Sequence, residues 1–413
     1  MAINIKYLVI SSIIDGEISI FDSSEPYKIE NIQSRIKIND NKTRIQDLEF
    51  SPFNENILAL AYENKSIVLW KIPEGNINKK ITKEFQIYKI HNNKVNYVTF
   101  NPVVDNLLCS DSSDNEIHIW NIENMDDYIK FNIDENPSMI SWNPNGDLIG
   151  VTSKKNINIF DPRNEKFVIK QDIFKRYYPP KLAWIDNNLF VSIVNDKNAK
   201  SLKLWDIRKN NANEISSIEI SSIEINQLKS DIFTPFINKE LKIIYIIGND
   251  RKYINLLNYN ENKFTKIKEY NIGEPSICSV LFNRELLDKN KKEIDRFVFC
   301  SKDSNIYYSS FQLPQESELS DSILYPVKNK NILSYEQWLK GKNSIIFENN
   351  NNKETMNENN INHDENEFKN IDNNKHMEKR RSIEKYKNIE NREIKFYKNF
   401  INRNEKSKKK IKI

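Results

Sequence analysis

Apolar and polar side chains alternate along the stretch 91–124 in the way that β-strands require. Segments 95–100 and 117–122 alternate, and 107–110 is a third short, mostly apolar run. An Asn-Pro pair ends the first segment, and the polar residues 111–115 separate the last two. Because a strand sends successive side chains to opposite faces, and Asn, Pro and Asp favour turns, this stretch predicts three antiparallel strands joined by tight turns.

The last strand of this unit recurs along the chain. Its copies are EISIFD at 17–22, SIVLWK at 66–71, EIHIWN at 116–121, NINIFD at 156–161, SLKLWD at 201–206, YINLLN at 253–258 and NIYYSS at 305–310. The intervals are near the WD-repeat period of about 40–45 residues, with longer ones that imply long loops. First strands precede several copies, at 45–52, 95–102, 139–144 and 181–186. Seven units predict an all-β fold, a seven-bladed WD-repeat β-propeller over residues 1–312.

Four side chains of the 91–124 unit stand where a WD-repeat blade carries a hydrogen-bond chain: His91, Ser110 or Ser112, Asp114 and Trp120. In such a tetrad Asp114 fixes the turn and orients His91, while Trp120 donates its indole N–H. Buried donors and acceptors need partners, so these residue types belong together in a structural role. The alternative is a catalytic His91–Asp114 pair.

The ends of the propeller are less regular than its middle. Residues 6–12 have the character of a second strand with no first strand before them, and the last unit supplies about three strands. An open edge would expose unpaired backbone N–H and C=O groups. We therefore expect either an unusual closure of the ring or further residues upstream of this sequence.

Residues 313–348 contain too many apolar side chains for a linker and are predicted to pack on the propeller as an extension. Within them, Ser334 to Lys340 has the pattern of a short helix, with Ser334 as N-cap and Gln337 at the third position. Residues 349–375 are rich in Asn and Glu and poor in apolar side chains, which predicts a disordered linker.

Residues 376–413 form a basic tail. It holds fourteen Lys/Arg and five Asp/Glu, about +9, so the remainder of this +4 chain is about −5. Segment 377–402 has one apolar face and predicts a helix, although Glu390 and Glu393 interrupt the heptad pattern of a coiled coil. A lysine cluster ends the tail: Lys406, Lys408, Lys409, Lys410 and Lys412.

Composition agrees with a folded body joined to a polar segment, because 38% of residues are hydrophobic and 29% are charged. Glycine occurs only 7 times. Asparagine is expected to take over tight turns, at Asn115, Asn156, Asn188 and Asn249, because it tolerates positive φ. The alternative is a plain compositional bias.

Several chemistries have no support in the sequence. Cys109, Cys278 and Cys300 and four histidines show neither metal-ligand spacing nor a disulfide framework. No glycine-rich phosphate loop, nucleophile elbow, secretory leader or long apolar run is present. We expect a cytoplasmic, non-enzymatic interaction platform with reduced thiols, no cofactor, no metal and no small-molecule substrate.

Beyond the repeats, particular stretches resemble the coronin family. They are SWNPNGDLIGVTSKKNINIFDPRN at 141–164, FTPFINKELKIIYIIGNDRKYINLLNY at 233–259 and PSICSVLFNRELLDKNKKEIDRF at 275–297. The extension motifs ESELSDSILYP and YEQWLKGKN resemble a segment that coronins carry after the propeller and general WD proteins lack. The resemblance covers about 6–348 and implies a protein of the actin cytoskeleton that binds actin filaments and self-associates through a C-terminal helix.

The interrupted heptad pattern of the tail is one departure from the coronin pattern, and the chain departs from it in two further places. The N-terminal segment with a closing strand and a basic residue is absent, and residues 314–317 read PQES where coronins have a basic pair. The remaining candidates for an actin-facing basic surface are Arg163, Lys175, Arg176, Lys181, Arg208 and Lys209. The competing interpretations are ordinary solvated charge for these residues, a WD-repeat scaffold without actin binding for the body, and contact with anionic membrane or nucleic acid for the tail.

Overall fold

The chain folds into the seven-bladed β-propeller that the repeats predict, and the described strands form six sheets because two blades share one. The computed structural model describes residues 1–11, 18–23, 34–36, 43–73, 85–124, 128–154, 156–172, 180–195, 200–209, 218–224, 233–248, 251–260, 263–301, 306–313, 321–325, 332–341 and 408–411. The linker prediction for 349–375 and the helix prediction for 377–402 lie outside these residues.

Each of the first five blades is a four-stranded antiparallel sheet built from consecutive strands. Blade one contains β1 (Ala2–Ile3), β2 (Tyr7–Ser11), β3 (Ile18–Asp22) and β4 (Ser34–Ile36). Blade two contains β5 (Ile45–Phe50), β6 (Ile57–Tyr62), β7 (Ile67–Lys71) and β8 (Gln86–Tyr88). Blade three contains β9 (Val95–Phe100), β10 (Leu107–Ser112), β11 (Glu116–Asn121) and β12 (Tyr128–Asn132). Blade four contains β13 (Pro137–Trp142), β14 (Ile149–Ser153), β15 (Asn156–Asp161) and β16 (Lys166–Asp172). Blade five contains β17 (Lys181–Trp184), β18 (Leu189–Asn195), β19 (Lys200–Asp206) and β20 (Ile218–Glu224).

Blades six and seven share a strand and therefore form one sheet. Blade six begins with β21 (Phe233–Asn238), β22 (Ile243–Gly248) and β23 (Arg251–Asn260), and blade seven continues with β25 (Glu293–Ser301) and β26 (Ile306–Gln312). Between them runs β24 (Lys263–Leu281), a strand of 19 residues. Its first half pairs mainly with β23 and its second half with β25. The two blades are thus joined by one continuous strand, and the pairing of Arg251 on β23 with Ser276 links blade six to the second half of that strand.

The hydrophobic core lies between the blades. The buried apolar side chains of the described residues fall into seven clusters, and each cluster joins one blade to the next. The cluster that contains Leu8 and Phe21 of blade one also contains Val298 and Tyr308 of blade seven. Because apolar burial is the dominant favourable term in folding, this last cluster closes the ring.

The two ends correct the expectation of a missing first strand. A two-residue strand, β1, precedes β2 and pairs with it through Ala2 and Ile3. At the outer edge of blade seven, β27 (Lys408–Ile411) pairs antiparallel with β26. Blade seven thereby also reaches four strands, and the edge of β26 is covered by backbone pairing.

The asparagine turns follow the prediction only in part. Asn115 has φ of 66°, and Asn106, which was not predicted, has φ of 59°. Asn156 lies within β15, Asn188 does not have positive φ, and Asn249 lies outside the described residues. Lys65, Lys242 and Lys292 instead adopt positive φ at other turns. Side chains other than asparagine therefore occupy several strained turns.

The extension contributes two short helices, α1 (Asp321–Leu324) and α2 (Tyr335–Leu339). Ser334 caps α2, and its side chain and that of Gln337 form the reciprocal capping box that the sequence predicts. Leu324 and Tyr325 join the core between blades six and seven, whereas Leu333 and Trp338 join the core between blades three and four. In the described part of the chain, no helix has the length and apolar character that crossing a membrane would need.

Candidate interaction surfaces

Three members of the proposed tetrad meet inside blade three. His91 Nδ1 lies 3.2 Å from Asp114 Oδ2, and His91 Nε2 lies 2.9 Å from Ser110 Oγ. Because a carboxylate only accepts, Nδ1 carries the proton and the Ser110 hydroxyl donates to Nε2. Asp114 Oδ2 also accepts from the Asn92 backbone N–H at 2.7 Å, which holds the turn before β9. The other candidate, Ser112, bonds to backbone carbonyls of residues 93 and 94 instead.

Trp120 does not complete the chain of hydrogen bonds. Among the described residues its indole nitrogen has no hydrogen-bond partner, although the side chain is fully buried. The ring of Tyr88 packs against it in a T-shaped arrangement, with centroids 4.2 Å apart. In blade five, by contrast, Trp205 Nε1 donates to Ser192 Oγ at 2.8 Å. The role of Trp120 is therefore packing rather than donation.

Burial keeps the His91 ring neutral at pH 7 although polar groups surround it. Burial, together with repulsion from His118, lowers the pKa of His91 to about 4. The ring of His118 lies 4.4 Å from that of His91, and burial also lowers the pKa of His118. Ser110 and the His91 side chain are 0% exposed, so a substrate has no access to the Ser110–His91–Asp114 array. The arrangement serves to join the strands and turns of blade three.

One group of side chains in the described residues has metal-ligand geometry. Ligand atoms of His91, Glu116 and His118 lie within 4.8 Å of one another. Glu116 Oε2 is already 3.1 Å from His118 Nε2, and Glu116 Oε1 is 2.6 Å from Lys130 Nζ. Both ring nitrogens of His91 are also hydrogen-bonded, so a metal ion would have to displace these contacts.

The predicted basic surface is not a patch of free charge where the structure describes it. Arg163 Nη2 lies 3.4 Å from Asp147 Oδ2, and Arg208 bonds Asp206 through both Nε and Nη2. Paired guanidinium groups have less charge to offer a partner. The Arg208 side chain remains 60% exposed, whereas that of Arg163 is 11% exposed. Lys175 and Arg176 lie outside the described residues.

Lys181 and Lys209 lie at different places on blade five. Lys181 begins β17, and its Nζ donates to the Tyr97 hydroxyl at 3.0 Å and lies 5.0 Å from the centre of that ring. Lys209 ends a single turn of 3₁₀-helix, Ile207–Lys209, and its side chain is not described. The contact of Lys181 with Tyr97 joins blade five to blade three, which is an internal role.

The tail lysines are described only in part. Lys408, Lys409 and Lys410 belong to β27 and pair through their backbone with Ser309, Tyr308 and Tyr307 of β26. Lys406 and Lys412 lie outside the described residues.

Three carboxyl groups, on β5 and β10, form a feature that the sequence analysis missed. Asp47 Oδ2 accepts from the backbone N–H of Val98 at 3.2 Å, and Glu49 Oε2 accepts from that of Phe100 at 3.3 Å. Burial raises the pKa of Asp47 to about 6, and burial with repulsion from Asp47 raises that of Glu49 to about 8. Burial also raises the pKa of Asp111, which accepts from the N–H of Tyr97. The alternation of β5 was the available signal, because these polar residues stand on the face that looks away from the blade-to-blade core.

The extension creates an acidic groove beside blade three. Its volume is about 560 Å³, and its lining residues are Asp105, Asn106, Asn121, Glu123, Asn124, Leu333, Ser334, Tyr335 and Glu336. Three carboxylates and no basic side chain line it. This surface suits a basic partner and not an acidic one.

No protein-family model matches the chain. Among curated proteins, it is 26% identical over 308 residues to coronin-like protein crn1 of Schizosaccharomyces pombe, which covers 73% of this chain and 50% of that protein. It is 22% identical to the coronin-like protein of Saccharomyces cerevisiae over 72% of this chain and 47% of that one, and 24% identical to coronin-2A of Bos taurus over 74% and 60%. The chain thus spans about half the length of the curated relatives it matches.

A solved structure supports the same fold. The WD40 domain of Toxoplasma gondii coronin superposes with a TM-score of 0.74 at 22% identity, over 84% of this chain and 89% of that domain. A second structure, the Cps50 (Swd1) propeller of Myceliophteria thermophila, gives a TM-score of 0.51 at 10% identity. Both similarities support the propeller fold.

Proposed function

Because this chain belongs to the coronin family, we propose that it binds actin filaments and acts in the cytoplasm, at the actin cytoskeleton, as a non-catalytic interaction platform. The observation that carries the proposal is the anchored extension. Its YEQWLKGKN motif is one of the two stretches that resemble coronins and that general WD proteins lack. Trp338 of this motif is fully buried between blades three and four.

The distribution of charge supports a role of the tail in the long-range part of filament binding. Filaments present an acidic surface, whereas the body of this chain carries about −5 and the tail about +9. Arg163 and Arg208 are paired with carboxylates, and the groove beside α2 is acidic. Attraction between exposed charges is screened beyond about 8 Å at physiological salt, so binding through the tail must weaken as salt rises.

Co-sedimentation with actin filaments tests the proposal. We expect the full chain to pellet with filaments at low salt and less at physiological salt. Deletion of 376–413 should weaken binding and flatten its salt dependence. Since deletion also removes β27, the sharper variant changes Lys408, Lys409 and Lys410 to Gln and keeps the strand.

A matched control tests whether the position of the lysines, and not only the net charge of the chain, determines the affinity for filaments. Lys71, Lys154 and Lys166 are exposed on the body, and their change to Gln removes the same three charges. The proposal requires that the tail variant lose more affinity for filaments than this control. Full-length protein that stays in the supernatant at low salt would end the actin assignment.

The second candidate is a WD-repeat scaffold that does not bind actin and whose basic tail contacts anionic membrane or nucleic acid. The pairing of Arg163 and Arg208 with carboxylates favours it, because these residues then offer filaments little free charge. Parallel binding to vesicles containing phosphatidylserine and to RNA distinguishes the two. Tighter binding to either one than to filaments, with the same loss in the tail variant, supports the scaffold.

Self-association is a separate part of the proposal and rests on the predicted helix at 377–402. Light scattering of the full chain and of the chain without 376–413 measures it. A molar mass that falls to that of one chain upon deletion supports oligomerisation through the tail. A number of subunits that is the same with and without the tail contradicts it.

A further inference from the structure

The three cysteines stand in different surroundings, and two of them face each other. Cys278 on β24 and Cys300 on β25 are direct partners in the antiparallel register of blade seven. Cys109 lies on β10 in blade three, fully buried in the core between blades three and four. All three are free thiols in the structure. The strand pairing of blade seven therefore brings Cys278 and Cys300 together. Cys109, which has no cysteine beside it, serves as the control for cysteine oxidation.

The register brings the two sulfurs within reach of a covalent bond. Directly opposed residues in an antiparallel pair have Cα atoms about 4.5–5.5 Å apart, inside the range of about 4.4–6.8 Å that disulfides adopt. Their Cβ atoms are about 4.5–5.5 Å apart, against about 3.5–4.5 Å in a disulfide. A small closing movement of the two strands suffices. The register shift between Ser276 and Cys278 lies beside the pair and gives the strand room to adjust.

The two thiols are also chemically unequal. The interaction between the two cysteine side chains lowers the pKa of Cys278 to about 7 and raises that of Cys300. In the structure the Cys300 sulfur donates to the Ser301 carbonyl oxygen at 3.5 Å, so its proton is held away from Cys278. The thiolate is the nucleophile in sulfur chemistry, so Cys278 is the group that reacts first. Cys278 is partly exposed, whereas Cys300 is 6% exposed and Cys109 is 0% exposed. Burial raises the pKa of Cys109 and keeps it unreactive.

We propose that Cys278 and Cys300 are a reversible oxidation site, which a peroxide converts to a disulfide within blade seven. The Cys278 thiolate attacks one oxygen of the peroxide, the O–O bond breaks, and a sulfenic acid and hydroxide form. The Cys300 sulfur then attacks the Cys278 sulfur, the S–O bond breaks, and hydroxide leaves with the Cys300 proton as water. Two thiols lose two electrons and two protons, and hydrogen peroxide is reduced to two molecules of water.

The disulfide would tie the inner strand of blade seven to its neighbour. It closes a loop over 278–300 that contains two short 3₁₀ turns, Arg284–Leu286 and Lys289–Lys291. Glu293 and Arg296, a buried ion pair, lie in the same loop, and Tyr325 of the extension donates to the Glu293 carbonyl oxygen at 2.8 Å. Oxidation would therefore stiffen the part of the propeller that Tyr325 of the extension contacts.

Thiol counting and peptide mapping of the full chain test the proposal. The reduced protein is treated with graded hydrogen peroxide, quenched, denatured, and digested after the free thiols are blocked. We expect loss of two of the three free thiols and a peptide pair joined through Cys278 and Cys300. The intact mass should fall by that of two hydrogen atoms, and dithiothreitol should restore both thiols.

Variants separate the pair from general cysteine oxidation. Cys109→Ser should leave the disulfide unchanged, whereas Cys300→Ser should leave Cys278 as a sulfenic acid that dimedone traps. Sulfinic acid at Cys278, or disulfides between molecules, with Cys300 still a thiol in the wild-type protein would overturn the proposal. The decisive readout is made on wild-type protein, so a variant that folds poorly does not affect it.

Discussion

Trp338 donates its indole N–H to the carbonyl oxygen of Gly146 at 2.7 Å, across a separation of 192 residues. The same carbonyl oxygen accepts from the Asn101 side chain at 2.8 Å. Asn101 Oδ1 in turn accepts from the backbone N–H groups of Val103 and Val104. A turn of blade three, a turn of blade four and the extension thus meet at one oxygen atom.

Replacing Trp338 by Phe should cost more free energy of unfolding than replacing Trp120 by Phe. Both indoles are fully buried, but only Trp338 loses a hydrogen bond in the exchange. Both variants should lose a similar amount of packing energy. We expect the free energy of unfolding, measured in urea, to fall by about 1 kcal/mol more for Trp338→Phe than for Trp120→Phe. Truncation of Trp120 to Ala should cost about 3–5 kcal/mol. Equal costs for the two Phe variants would contradict the donor role of Trp338.

Gly146→Ala should destabilise the protein more than Gly341→Ala. Both glycines have positive φ, at 67° and 78°, so both variants meet the same backbone penalty of about 1–2 kcal/mol. A Cβ at Gly146 would lie 2.3 Å from Asn101 Oδ1 and 2.7 Å from Val103 Cγ2, whereas at Gly341 nothing lies within 4 Å. We expect about 2 kcal/mol more for Gly146 from this overlap, measured as a shift in urea midpoint. Similar midpoints for both variants would show that the turn yields without cost.

Stability should fall as the pH drops from about 6.5 to about 4, in part because of His91. Burial lowers the native pKa of His91 to about 4, while the unfolded chain has the ordinary value of about 6.5. Between these values the unfolded state binds the proton and the native state does not, so acid favours unfolding. The full effect is about 3 kcal/mol, since one pKa unit corresponds to about 1.36 kcal/mol.

An NMR titration of the His91 ring in native protein measures this pKa directly. The groups facing the ring are Asp114, Glu116 and His118, and no midpoint is expected above pH 5. The same ring in urea should titrate near pH 6.5. A native midpoint near pH 6.5 would mean that blade three admits the charged ring without penalty.

Glu49→Gln should stabilise the protein at pH 8 to 9 and change little at pH 5. Burial raises the native pKa of Glu49 to about 8, so the native state holds a proton that the unfolded state releases near pH 4.5. Stability therefore falls as the pH rises from about 4.5 through about 8. Glutamine keeps an oxygen that can accept from Phe100 and never ionises. Glu63→Gln, at an exposed site, serves as the control, and parallel pH profiles for wild type and Glu49→Gln would reject the idea.

The periodic parts of the fold could be predicted because each repeat has the same pattern of buried apolar and exposed polar positions. All seven third strands, from β3 to β26, begin or end within about three residues of the pattern read from the sequence. The cap of α2 was also visible, because Ser334 and Gln337 interact over three residues. In these cases the sequence pattern and the contact that stabilises it lie in the same short segment.

Contacts over long separations explain what was missed. β1 has two residues, too few for a period, and its stability comes from pairing with β2. The pairing of Arg163 with Asp147 and the lone indole of Trp120 depend on how strands and turns approach in space. A charged residue reads the same in the sequence whether it is free or paired. The sequence alone therefore could not tell whether the predicted basic residues are free or paired.

The shared strand β24 makes the mechanical strength of the ring uneven. Between most neighbouring blades, side-chain packing, a few hydrogen bonds that involve side chains and a connecting loop resist separation. Between blades six and seven, the connection is the continuous strand β24 instead of a loop, and a force that separates them must also break the backbone pairing of Arg251 on β23 with Ser276. Under mechanical load the ring should therefore open first between other blades, and blades six and seven should separate from the rest of the propeller together.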